Sequence, residues 1–190
     1  MEKQNQMISR EEAVKILEEN IQAENMRKHC YASEAVMRAI AKRLGRNEDE
    51  YGLAGLLHDI DVEITNADPH THGPHAEHLL KGKVTDEALD AIVMHNEVAT
   101  GKERTTEFQH ALAAGETITG LITATTLVYP DKKIAAVKPK SITKRMKQKA
   151  FAASVNRENI LECEKIGISL NEFAELSLNS MKEIDKELGL

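Results

Sequence analysis

The chain has 190 residues, 41% hydrophobic and 29% charged, with a formal net charge of −6, which is room for one domain with a substantial buried core. Aromatics make up 3% and Trp is absent, so Leu, Ile, Val, Met and Ala must fill that core; this disfavours a β-sandwich and points to helix-on-helix packing. No run approaches the ~18 apolar residues of a membrane span, the start MEKQNQMISREEA lacks a signal peptide's apolar centre, and Cys30 and Cys163 are too few for a disulfide scaffold, so a cytoplasmic protein with free thiols and no membrane partner is expected.

In chain order, Ser9-Arg10-Glu11-Glu12 forms a capping-box pattern that opens a first helix carrying Val14, Ile16, Leu17 and Ile21. A second, over 24–44, sets Met26, Cys30, Ser33, Met37, Ile40 and Leu44 in one stripe, and Gly45 can close it in the left-handed conformation. Asn47 caps a short helix with Leu53, Leu56 and Leu57 that runs out at His58-Asp59. After an irregular stretch, Asp68-Pro69 can start a helix reaching Leu79-Leu80 and stopping at Gly82. Asp86 to about Glu97 places Ala88, Ile92 and His95 on one face, and 107–128 is a long helix with Phe108, Leu112, Glu116, Thr119 and Thr123 in line. Tyr129-Pro130-Asp131 breaks it, and three further helices follow at 141–153, 157–167 and 169–188. Strand alternation never persists, so the fold class is all-α.

Two features of composition bear on function. Residues 132–149 carry eight Lys or Arg and no acid, which leaves the rest of the chain strongly acidic; such a body does not suit a polynucleotide, and no aromatics are interleaved to stack bases. One basic segment could still receive an anion: in a helix beginning near Lys140, the side chains of Lys140, Lys144 and Lys147 share a face that can clamp phosphate or simply meet solvent. Six of the eight histidines fall within 58–95, a density that points to metal binding or proton transfer.

His58-Asp59 ends an apolar helical run, and the pair reaches one ion only if the backbone turns there, because adjacent helical residues diverge. Glu116 lies on an apolar stripe, where an unpaired carboxylate costs several kcal/mol unless a cation or a salt bridge meets it. His29, beside Met26 and Cys30, and His95, beside Ala88 and Ile92, read first as satisfied core histidines and second as ligands. His72 stands before a helix, while His70, His75 and His78 read as solvent-facing.

The order His29, His58-Asp59, His72, His95, Glu116 on successive segments resembles the HD-domain superfamily of metal-dependent phosphohydrolases, in particular its HDIG-like members. LAGLLHDID resembles the family's apolar helix with its His-Asp pair, HGPHAEHLL its next His segment, AIVMHNE the helix after that, and HALAAGETITGLI the helix bearing the last acidic ligand. The resemblance covers roughly 24–128 of a single domain over 1–190, with a helical extension at about 139–190. Two departures stand out: Glu116 replaces the family's usual Asp, and His58-Asp59-Ile60-Asp61-Val62-Glu63 lacks the Gly-Lys of the HDIG pattern.

The resemblance implies an HD-type helical bundle binding one or two divalent ions (Mn, Fe, Co, Ni, Mg or Zn) through His29, His58, Asp59 and Glu116, extended by His72 and His95. On that resemblance Asp59 would be the natural bridge between two ions, or else His72 and His95 would bind the phosphate, and Asp61 or Glu63 would serve as general base or assist the leaving group. The implied activity is hydrolysis of a small, nucleotide-like phosphomonoester or phosphodiester; the alternative is a regulatory HD module that binds metal and a phosphorylated ligand without turnover. A homo-oligomer is compatible with the amphipathic C-terminal helix.

Overall fold

The computed structural model describes residues 7–190, and among them every regular element is helical. The α-helices are α1 (Arg10–Asn20), α2 (Glu24–Leu44), α3 (Glu48–Leu57), α4 (Ala76–Leu80), α5 (Asp86–Met94), α6 (Glu97–Thr100), α7 (Glu107–Leu127), α8 (Pro139–Met146), α9 (Arg157–Leu161), α10 (Leu170–Lys182) and α11 (Asp185–Leu188). Short 3-10 turns lie at Ile134–Ala136 and Glu162–Ile166. No helix among the described residues is long and apolar enough to cross a membrane.

Local chemistry starts and stops these helices. Ser9 and Glu12 form a reciprocal capping box on α1, and Thr106 with Gln109 does the same for α7. Asn47, Thr85 and Ser169 accept first-turn N–H groups of α3, α5 and α10. Gly45 closes α2 at φ 67°, with its N–H on the carbonyls of Ala41 and Lys42.

The two 21-residue helices α2 and α7 form the centre. α2 packs against α3, α7 and α10, and α7 in turn against α5, α8 and α9. Met37, Ile40, Leu56, Leu57, Leu112 and Ile118 are fully buried between them. α3 packs tightly on α2 at Gly55, where an added Cβ would stand 2.6 Å from the Ser33 carbonyl oxygen. Ser33 is one turn beyond His29 and Gly55 one turn before His58, so this glycine lets two separate helices bring their histidines together.

Several helices are shorter than their periodicity predicts. The helix expected from Asp68 begins only at Ala76: Gly73 takes φ 98° and Pro74 cannot donate, so 68–75 is a chain of turns. α5 ends at Met94, and Asn96 caps the separate α6 by accepting from the Val98 N–H. The helix expected over 141–153 stops at Met146 because Arg157 draws in the carbonyl oxygens of Gln148, Phe151, Ala152 and Val155 as acceptors. The last two expected helices are each divided, the first tightening into the 3-10 turn at Glu162–Ile166 and the second breaking at Glu183-Ile184.

Candidate metal centre

α3 ends at Leu57, and the chain then turns tightly, with the Ile60 N–H on Leu57 O and the Val62 N–H on Asp59 O. This turn lets the adjacent His58 and Asp59 face one point. α2 contributes His29, the turn-rich segment His72, the end of α5 His95, and the middle of α7 Glu116.

The Asp59 carboxylate lies at the centre. Its Oδ2 is 3.3 Å from His58 Nε2 and 3.4 Å from His29 Nε2. Its Oδ1 is 3.1 Å from His72 Nε2 and 3.4 Å from His95 Nε2. The two histidine pairs are each 3.1 Å apart, His29 to His58 and His72 to His95, Nε2 to Nε2. Two groups of mutually close donors result, His29–His58–Asp59 and Asp59–His72–His95, with Asp59 in both. Glu116 stands at the margin, its Oε2 3.7 Å from His29 Nε2.

The outer ring nitrogens decide the tautomers. His58 Nδ1 faces Gly55 O at 2.8 Å and His95 Nδ1 faces Ile92 O at 2.5 Å; a carbonyl only accepts, so both nitrogens carry the proton. His72 Nδ1 donates to Asp61 Oδ1 at 2.7 Å. Thr119 Oγ1 gives its own proton to Glu116 O and accepts from His29 Nδ1 at 3.0 Å. In their neutral form all four rings therefore turn their Nε2 lone pairs inward. Lone pairs 3.1 Å apart repel each other unless a cation lies between them, and donors on an ion about 2.1 Å away are themselves roughly 3.0–3.4 Å apart. The residues fit one or two metal ions with imidazole and carboxylate donors.

The field around Asp59 attracts positive charge, which either protons on the inner nitrogens or a metal ion can supply. Burial pushes the Asp59 carboxyl up, but His58, His72 and His95 outweigh it and hold the group well below the usual carboxylate range. Burial works against charge on His58 and His72 too, yet Asp59 lifts His58 to about 9, and Asp59 with Asp61 lifts His72 to about 10. At His29 burial prevails over the attraction of Asp59 and Glu116, and its pKa falls. An anion walled in by imidazoles thus draws positive charge to its faces.

Compared with protein-family models, curated proteins and solved structures, the chain matches none.

The remaining expected site residues lie elsewhere. Asp61 is fully buried and both its oxygens are occupied, Oδ1 by His72 and Oδ2 by the Gly73 N–H at 2.8 Å. It holds His72 from behind rather than facing the cluster, where a general base would have to stand. Glu63 accepts from the backbone N–H groups of Gln22 and Ala23 at the entry to α2, where it serves a helix start. Lys140, Lys144 and Lys147 are exposed and none joins the cluster; α8 is tied instead to the far end of α7 by the 2.6 Å Tyr129–Ser141 hydroxyl bond. His70 and His78 are exposed and His75 half-buried, all apart from the centre.

Residues not singled out from the sequence complete the surround. Thr119 orients His29, and Asn96 donates to His72 O at 2.8 Å and to Pro69 O at 2.9 Å, securing the loop that presents His72. Arg104 donates to the carbonyls of Met94 and His95 at 3.3 and 3.1 Å. Their partners are distant in sequence, and only Thr119, on the Glu116 stripe, carried a local sign.

Proposed function

We propose that this protein is a metal-dependent phosphohydrolase acting on a small phosphorylated compound, a phosphomonoester or phosphodiester of nucleotide type. The observation that carries this reading is the convergence of four imidazole Nε2 atoms on both oxygens of one buried carboxylate, with every outer nitrogen tied back. The resemblance of the same segments to the HD-domain superfamily supports phosphoester hydrolysis as the reaction class.

In this reading His29, His58, Asp59 and Glu116 hold one ion, and Asp59, His72 and His95 hold a second. Such ions, when bound, polarise phosphoryl oxygens and bring the pKa of a coordinated water towards neutrality. The chain's own residues supply order around them. Gly55 O, Ile92 O, Asp61 and Thr119 hold protons on the outer nitrogens, so the inner nitrogens are the ones that give up a proton and donate an electron pair when an ion binds. His58 is fully buried and excludes water from the floor, whereas the His29 side chain is 24% exposed and those of His72 and Glu116 about 15%. Substrate therefore enters along the His29, Glu116 and His72 edge.

The test uses p-nitrophenyl phosphate and bis(p-nitrophenyl) phosphate. Release of p-nitrophenol that needs a divalent metal and disappears in Asp59→Ala supports the proposal. Protein that binds metal yet releases none from these or from a panel of nucleotides is instead a module that holds metal without turnover.

A further inference from the structure

Behind the centre, the C-terminal segment that begins at α9 makes a polar connection with no place in the ligand set. Arg104 is buried, and its Nε and Nη2 grip the carboxylate of Glu162 at 2.6–3.1 Å. Glu162 also accepts from His110 Nδ1 of α7 at 2.7 Å. Arg104 Nη1 reaches the carbonyl of His95, and Nη2 donates to Asn159 Oδ1 at 2.9 Å. The other end of the Asn159 amide, Nδ2, points to Thr117 Oγ1 at 3.4 Å, and the Thr117 hydroxyl donates to Glu116 Oε1.

Asn159 thus stands between two branches, one ending on the backbone of His95 and the other on the carboxylate of Glu116. Its orientation is determined: guanidinium only donates, so Oδ1 must face Arg104 and the NH2 must face Thr117. With the amide as donor, the Thr117 oxygen accepts and its proton is directed at Glu116 Oε1. That leaves Oε2 as the oxygen turned towards His29. Glu116 is one methylene longer than Asp, so an extra rotatable bond has to be held still before the carboxylate can act as a defined ligand.

We infer that Asn159, acting through Thr117, is a positioning residue that holds Glu116 in its metal-facing rotamer, making the C-terminal segment a working part of the metal centre. The inference rests on the metal reading above. Asn159→Asp retains an acceptor for Arg104 but offers Thr117 a carboxylate, which takes the hydroxyl proton away from Glu116. Thr117→Val removes the same proton with nearly the same shape.

The probe is Co2+, titrated into metal-free protein and followed by calorimetry and by visible absorption, whose intensity reports coordination number. Each variant is expected to weaken Co2+ binding by about 10–100-fold and to alter the spectrum as a carboxylate ligand loosens. Asn159→Asp/Thr117→Val together should weaken it no more than one alone, because both interrupt one path. Wild-type affinity and spectrum in both folded variants overturn the inference while leaving the metal reading intact, as do effects that simply add. Failure of the unaltered protein to bind Co2+, with no difference from Asp59→Ala, overturns the metal reading and the inference together.

Discussion

Asp61→Asn separates a residue that orients a ligand from one that takes a proton. Asp61 is wholly enclosed, with its two oxygens accepting from His72 Nδ1 at 2.7 Å and the Gly73 N–H at 2.8 Å. An amide of the same shape can satisfy only one of them. With its oxygen on His72, its NH2 confronts the Gly73 N–H, and a buried donor is left without a partner. With the amide reversed, the NH2 faces His72 Nδ1 and drives the ring proton to Nε2, the nitrogen that must donate its lone pair. Either arrangement costs about 1–3 kcal/mol, and at ~2–4 °C per kcal/mol for a domain of this size the Tm falls by about 2–12 °C. Loss of the correct tautomer weakens metal binding by ~10–100-fold. Metal content after dialysis, read by elemental analysis beside the Tm, is the assay. A general base would behave differently: its loss lowers kcat by ~10²–10⁴ while the metal stays bound. Asp61→Asn protein with wild-type metal content and a reduced kcat refutes the positioning role.

Gly55→Ala forces a methyl against the Ser33 backbone at 2.6 Å; it should destabilise the fold by about 1–3 kcal/mol and reduce metal affinity, because the α2–α3 crossing lies one turn from both His29 and His58, and calorimetric titration beside thermal unfolding checks both. Glu162, pushed upward by burial but held below its usual value by Arg104 and His110, contributes stability that is complete above the ordinary carboxyl range and is lost as pH falls through its depressed folded pKa. Glu162→Gln should therefore be less stable than wild type at pH 7, with the difference narrowing towards pH 3, measured by urea unfolding across that range.

The helical architecture was legible where its causes are local. The Ser9 capping box, the Asn47 cap, the α2 stripe from Met26 to Leu44 and its closure by Gly45 depend on neighbours within a turn or two, and the structure has each of them. Segments 68–75 and 147–153 have enough periodicity to suggest helix, but Gly73 and Pro74 interrupt the first, and Arg157 gathers the carbonyls of the second into turns. The grouping of His29, His58, Asp59, His72, His95 and Glu116 is what the resemblance to the HD-domain superfamily implies; the first five converge, and Glu116 stands at their margin. The acids after Asp59 carry no such local sign. Asp61 and Glu63 look alike in sequence, yet one is held behind His72 and the other serves the start of α2, whose Ala23 cap offers no side-chain acceptor. Partners forty positions away leave no periodic trace, and neither do those of Asn159.

Asp59 and its four imidazoles gather cations, and elemental analysis of purified wild-type and Asp59→Ala protein tests that most directly. One or two transition-metal ions per wild-type chain, and none in folded Asp59→Ala, is the predicted result. Wild-type protein that carries no metal after purification and takes up none from Mn2+, Co2+ or Zn2+ would contradict it.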